Sequence, residues 1–118
     1  MYPEEIREIL LDCWNPITMY PVKKMSWVRT KSRGQCYPTA LLVKRVLGGK
    51  ILRGLIMGEI HYWNKLPNGK QIDLTSDQYG GNGIDAVCTP TGERRNPNYN
   101  NKRFKILWHR WIRRVKLK

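Results

Sequence analysis

Residues 60–75 read Ile60-His61-Tyr62-Trp63-Asn64-Lys65-Leu66-Pro67-Asn68-Gly69-Lys70-Gln71-Ile72-Asp73-Leu74-Thr75. Pro67-Asn68-Gly69 has the composition of a tight turn, so the stretch predicts a hairpin of strands at about 59–66 and 70–75. Alternation assigns the faces. Ile60 and Tyr62 share one face with Ile72 and Leu74, and His61 and Trp63 share the other with Gln71 and Asp73. With the apolar face toward the core, His61 and Asp73 point the same way only if paired residue numbers sum to an even value. A two-residue Asn68-Gly69 turn gives an odd sum and splits them, so an odd-length loop or a bulge is expected.

Working outward, residues 50–57 read as a third short strand. Before it, a helix near Thr39 to Leu47 ends at Gly48-Gly49. Residues 15–34 are irregular and basic, with Trp27 as a buried anchor. A first helix spans 3–14: Pro3 suits its first turn, Glu4 and Glu5 complement its positive end, and Ile6, Ile9, Leu10 and Cys13 form an apolar stripe. Gln78 and Tyr79 end the hairpin. Residues 80–101, rich in Gly, Pro and Asn, predict a long loop. A closing helix at about 101–116 carries a broad stripe of Phe104, Leu107, Trp108, Trp111, Ile112 and Val115. No repeat or extended low-complexity segment interrupts this order. The fold class expected is α+β, with the N-terminal helices and a C-terminal helix packed on a small antiparallel sheet. The chain reads as a single domain over 1–118, with a core at about 27–115 and a basic tail at 110–118.

The composition fits that reading. The chain has 118 residues with 41% hydrophobic content, enough for one core without metal or disulfide staples. Its three cysteines are widely spaced and odd in number, which argues against a disulfide scaffold. The most apolar stretch, Ile51 to Ile60, is broken by Arg53 and Glu59, so no membrane span is expected. The acidic start lacks the basic and apolar regions of a secretory signal. A soluble, cytoplasmic protein is the expectation. Twenty-two Lys and Arg against nine Asp and Glu give a net charge of +13. Four of the nine acids (Glu4, Glu5, Glu8, Asp12) fall in the first helix, while no acid follows Glu93. Such asymmetry suits nucleic acid or another polyanion as partner. In the closing helix the tryptophans belong to the apolar stripe, so they are not a platform for stacking bases. Phosphate contacts through Arg103, Arg110, Arg113 and Arg114 would be sequence-independent and salt-sensitive.

One constellation can carry chemistry. Cys36 stands in Gly34-Gln35-Cys36-Tyr37-Pro38, where the second helix should begin. Unpaired N–H groups and the positive helix end favour a thiolate there and can hold an oxyanion. His61 and Asp73, facing one way, supply a base and the acid that orients it. Gln35 is a candidate oxyanion donor, and Trp63 a shield for the His61–Asp73 hydrogen bond. Thr75 and Asn64 are further candidate partners of the site. Zinc is not expected, because no Cys-x-x-Cys or His-x-x-x-His spacing occurs. Gly80-Gly81-Asn82-Gly83 lacks the lysine of a phosphate loop. Cys13 reads as core, His109 as surface, and Cys88 has no evident acid–base partner.

The motifs together are similar to those of a known family. Gly34-Gln35-Cys36, Thr39-Ala40-Leu41-Leu42-Val43, Gly48-Gly49-Lys50-Ile51, His61-Tyr62-Trp63-Asn64, Leu66-Pro67-Asn68-Gly69, Ile72-Asp73-Leu74-Thr75 with Gln78-Tyr79, and Arg103-Phe104-Lys105-Ile106-Leu107 resemble the YunG-like family of small bacterial proteins. The likeness covers roughly Trp27 to Val115. It implies a compact papain-like or transglutaminase-like cysteine fold with a Cys-His-Asp arrangement at Cys36, His61 and Asp73. The Asn-rich loop and the tail from Arg110 to Lys118 look like local elaborations. The function expected is a cysteine-dependent amide-processing enzyme, without cofactor, acting on a protein or small amide substrate. The alternative is a non-catalytic module of the same fold that contacts nucleic acid or an acidic protein through its basic C-terminal face.

Overall fold

The computed structural model describes residues 1–15, 34–56, 59–76, 99 and 101–116. Trp27, Gln78, Tyr79, Cys88 and most of the expected loop at 80–101 lie outside the described residues. The described elements form an α+β structure of three helices and one three-stranded antiparallel sheet.

Helix α1 (Pro3–Cys13) opens on Pro3, whose missing N–H would have no acceptor in the helix. Glu5 turns back on the start, its Oε1 accepting the Tyr2 N–H at 3.0 Å. Ile6, Ile9, Leu10 and Cys13 are its buried residues, as the spacing predicts. Helix α2 (Cys36–Leu47) starts at Cys36 rather than near Thr39. Pro38 falls in its first turn, where it removes no intrahelical hydrogen bond, so it does not delay the helix. The first intrahelical bond runs from Thr39 N–H to the Gln35 carbonyl at 2.9 Å.

Strand β1 (Lys50–Ile56) pairs antiparallel with β2 (Glu59–Lys65), and β2 pairs with β3 (Gln71–Ile72). The β2–β3 pairs are Asn64 with Ile72 and Lys65 with Gln71, the even-sum register. Leu66 N–H donates to the Lys70 carbonyl, and Gly69 N–H to the Leu66 carbonyl, both at 2.8 Å. These bonds close a three-residue loop, Pro67-Asn68-Gly69, with Gly69 at φ +88°. Asn68 Oδ1 accepts the Lys70 N–H and fixes the turn. β3 is shorter than the expected 70–75, because Asp73 starts a turn of its own, described below.

Ile60 does not join the core: it is 57% exposed, and its cross-strand partner Leu55 is 53% exposed. Helix α2 crosses the sheet from Tyr37 beside Tyr62 to the Ala40 carbonyl, which accepts Asn64 Nδ2. The helix starts too late along β2 to cover Ile60. Both faces of mid-β2 are nevertheless buried, with His61, Tyr62, Trp63 and Asn64 each at 5% exposure or less.

Helix α3 (Asn101–Lys116) lays Leu107 and Trp111 into the main core with Ile6, Leu10, Leu42, Val43 and Ile72. Leu10, Leu42 and Leu107 have no exposed surface, each burial contributing about 2–3 kcal/mol. Phe104, Trp108, Ile112 and Val115 flank them as partly buried neighbours. Trp14 caps this core and donates its Nε1–H to Thr39 Oγ1 at 2.8 Å, joining the end of α1 to the start of α2.

Gly49 sits between α2 and β1 at φ +88°, where a Cβ would run into the Lys65 carbonyl oxygen. Gly69 has the same φ, but a Cβ there meets nothing within 4 Å. Gly69→Ala therefore costs only the backbone strain, about 1 kcal/mol. Gly49→Ala adds a backbone collision, and about 3 kcal/mol is expected. Urea denaturation of the two variants checks the difference.

Candidate active site

Cys36 is the first residue of α2 and is half-buried. The helix heads there with the N–H groups of Cys36 and Tyr37, because Pro38 has none to offer and Thr39 is already bonded. Beside the thiol lies an aromatic cluster. Tyr37 meets Tyr62 at 4.8 Å and Tyr99 at 5.2 Å, ring centre to ring centre, both edge to face. Burial pushes the Tyr62 phenol above its ordinary range; Tyr99 is pushed up as well by burial, against the charge of Arg103.

The hairpin register places His61 and Asp73 together. His61 Nε2 is 2.6 Å from Asp73 Oδ2, with side-chain exposures of 0% and 4%. The other carboxylate oxygen is held by its own turn: Asp73 Oδ1 accepts the Thr75 N–H at 3.0 Å and the Thr75 hydroxyl at 3.2 Å. The carboxylate is thus oriented before the imidazole reaches it. Trp63 stacks beside the imidazole with the ring planes 16° apart and the centres 5.9 Å apart. Its Nε1–H donates to Gln71 Oε1 at 2.8 Å, which locks the indole in that plane.

The protonation of His61 follows from these neighbours. Burial alone pushes the imidazole down. The hydrogen bond to Asp73, hydrogen bonding with Cys36, and the charges of Cys36 and Asp73 outweigh it and raise the pKa from 6.5 to about 9. With Nε2 turned to Asp73, Nδ1 is the ring nitrogen that serves Cys36. A cysteine, a buried imidazole and a carboxylate therefore stand in sequence, the order needed to move a proton between sulfur and a leaving group. Among the described residues, no group of three His, Cys, Asp or Glu side chains is arranged to hold a metal ion.

The other expected residues are placed differently. Gln35 is buried, and its Nε2 donates to the Asn15 carbonyl at 2.9 Å, so this amide ties the start of α2 to the end of α1. Arg110 is exposed but reaches back to α1: its Nε donates to the Cys13 carbonyl at 2.7 Å and its guanidinium to the Asp12 carbonyl at 3.1 Å. It caps the C-terminus of α1, whose last turn has no basic residue of its own. Arg113 and Arg114 are exposed on α3 and Arg103 is half-buried. Arg114 makes a long, exposed ion pair with Asp12, at 3.9 Å. His109 is exposed and Cys13 buried, as read from the sequence. Gln71 was assigned a face but no role by the sequence; its place beside Trp63 on that face was the available signal.

The described elements thus define a small α+β protein with a Cys–His–Asp cluster at the start of its second helix. It belongs to the YunG protein family, whose model matches residues 2–116. No curated protein and no solved structure matches the chain. No helix among the described residues is long and apolar enough to cross a membrane.

A folded pKa above the unfolded one means stability that is complete below pH 6.5 and lost as pH rises through about 9. Asp73→Asn removes the largest contribution that raises it. The variant should lose about 3 kcal/mol at pH 6 and much less at pH 9.5, read by denaturant melts. In wild type, the His61 ring signals in NMR should titrate near 9; in Asp73→Asn they should titrate lower.

Proposed function

We propose that this protein is a cysteine-dependent amide-processing enzyme with a papain-like or transglutaminase-like arrangement. The observation that carries the reading is the buried 2.6 Å contact between His61 and Asp73 beside Cys36 at a helix start. A histidine so held is a proton carrier in a fixed orientation. A purely structural histidine has no need of a thiol on its second nitrogen. The chain order of cysteine on a helix, then histidine on a strand and aspartate just past the end of the next strand, supports the same class.

In this reading the Cys36 thiolate attacks a carboxamide, peptide or isopeptide carbonyl carbon. The developing oxyanion is met by the N–H groups at the head of α2. His61 then gives its proton to the leaving amine as the C–N bond breaks, leaving a thioester on Cys36. Water, deprotonated by His61, attacks the thioester, releasing a carboxylic acid and restoring the thiolate–imidazolium pair. An amine in place of water gives transfer. Asp73 is a positioning residue that sets the imidazole's tautomer and tilt, and Trp63 keeps water from their hydrogen bond. No cofactor enters these steps.

A second reading rests on α3, where Lys102, Lys105, Arg113 and Lys116 are exposed. A binding module contacting nucleic acid or an acidic protein through that face would show affinity that falls steeply with salt and survives Cys36→Ala.

The first reading is tested by thiol reactivity. Iodoacetamide labelling at pH 7, followed by peptide mapping, should modify Cys36 at least about tenfold faster than buried Cys13. His61→Ala should slow Cys36 labelling about tenfold, and Asp73→Asn should slow it less, with circular dichroism confirming that both variants fold. A Cys36 thiol of ordinary reactivity, indifferent to both changes in folded protein, overturns the enzyme reading.

A further inference from the structure

Two consecutive residues of β2 act on Cys36. His61 does so from the face that holds Asp73. The next residue, Tyr62, turns to α2 and packs its ring edge to face on Tyr37, which follows Cys36 in the helix. Cys36 itself is partly buried against the cluster of Tyr37, Ala40, Ile51, Tyr62 and Tyr99. Tyr62 is 5% exposed, so water competes little for its hydroxyl. Burial pushes the phenol up. Hydrogen bonding from Arg53, its cross-strand partner, and the charge of that guanidinium oppose this, while the charges of Cys36 and Tyr37 add to it. The phenol therefore keeps its proton near neutral pH, and the thiol lies close enough for its charge to act there. A guanidinium can only donate. Arg53 takes a lone pair of the phenol oxygen and leaves the O–H to point at an acceptor elsewhere.

We infer that the Tyr62 hydroxyl is a catalytic donor, which holds the oxyanion formed when Cys36 attacks a carbonyl, together with the N–H groups at the head of α2. This inference rests on Cys36 being the nucleophile. As the sulfur bonds to the carbonyl carbon, the C=O π pair moves onto oxygen. Tyr62 donates a hydrogen bond to that oxygen without giving up its proton. When the pair returns, the C–N bond breaks, its electrons leave on nitrogen, and His61 supplies the proton for that nitrogen. Base and donor stand on neighbouring positions of one strand, and period-two alternation sends them to opposite faces. The sequence pointed to Gln35 for the donor's role; the structure gives its Nε2–H to the Asn15 carbonyl. A phenol held by ring packing on Tyr37 and by Arg53 needs no reorganisation as the charge develops.

The test compares two reactions of one thiol in full-length protein, both followed at Cys36 by peptide mapping. Alkylation by iodoacetamide forms no oxyanion. Acylation by p-nitrophenyl acetate does: the sulfur adds to the ester carbonyl, and p-nitrophenolate leaves with the electron pair of the C–O bond. Tyr62→Phe keeps the ring and removes the hydroxyl. It should slow acylation about tenfold or more, while alkylation stays within about twofold of wild type. Tyr99→Phe, which takes a hydroxyl from the same cluster, should leave both rates near wild type. Circular dichroism establishes which variants fold. Arg53→Gln, at an exposed position, removes the group that orients the hydroxyl and should slow acylation about threefold with alkylation unchanged; it carries the comparison if Tyr62→Phe does not fold. Unchanged acylation in the folded variant overturns the inference and leaves the enzyme reading standing. An equal fall in both reactions also overturns it, since Tyr62 then acts on the thiol and not on the oxyanion. If wild-type Cys36 is alkylated at an ordinary rate and not acylated at all, the enzyme reading fails and the inference falls with it.

Discussion

A histidine without exposed surface, bonded at 2.6 Å to a nearly buried carboxylate, is an expensive thing to place inside a small protein. Desolvating two charges costs several kcal/mol each unless every remaining hydrogen-bonding position is met. Much of the β2–β3 hairpin can be understood as meeting that requirement. The three-residue loop sets the even register that puts His61 and Asp73 on one face. The turn at Asp73 ends β3 early, which sacrifices ladder bonds but brings the Thr75 N–H and hydroxyl onto Oδ1. Trp63 closes the side of the imidazole with an indole whose own N–H is satisfied by Gln71.

The hairpin was legible because its constraints are local. Period-two alternation and the parity of the register are fixed by strand geometry, so Pro67-Asn68-Gly69 and the residues beside it were enough to bring His61 and Asp73 together. The ends of α1 and α3 were legible for a similar reason, since caps and apolar stripes are written within one turn. Three features were not. The start of α2 at Cys36 ran against the steric rule that a residue before proline avoids helical angles; Tyr37 is helical all the same, and Pro38 in the first turn removes no intrahelical bond. The exposure of Ile60 depends on where α2 crosses the sheet, a tertiary fact that alternation does not contain. Arg110 read as one more surface charge, because its partners, the Cys13 and Asp12 carbonyls, are nearly the whole chain away.

Arg110 also shows why a count of charges is a poor guide to a surface. A net charge of +13 suggests one uniformly basic face. On α3 the arginines divide their work. Arg110 completes the end of α1, Arg103 stands near the Tyr99 phenol, and Arg45 of α2 leans across the helix onto Trp108. Trp108 and Trp111 are spent on packing, Trp111 in the core and Trp108 between Phe104 and Arg45. What remains for a polyanion is a strip of lysine and arginine with no aromatic surface to read bases. Such a strip supplies attraction without sequence preference.

The site and the core share strand β2, and this sharing limits how the protein can vary. Tyr62 and Asn64 face α2, the first through Tyr37 and the second through the Ala40 carbonyl; His61 and Trp63 face the other way and build the site. A shift of β2 by one residue would exchange the two sets. It would take the imidazole away from Asp73 and turn Tyr62 away from Tyr37, so the packing of α2 and the His61–Asp73 contact would be lost together. The same coupling runs through α2, whose first residue is the thiol and whose next residues meet β2, Tyr37 at Tyr62 and the Ala40 carbonyl at Asn64.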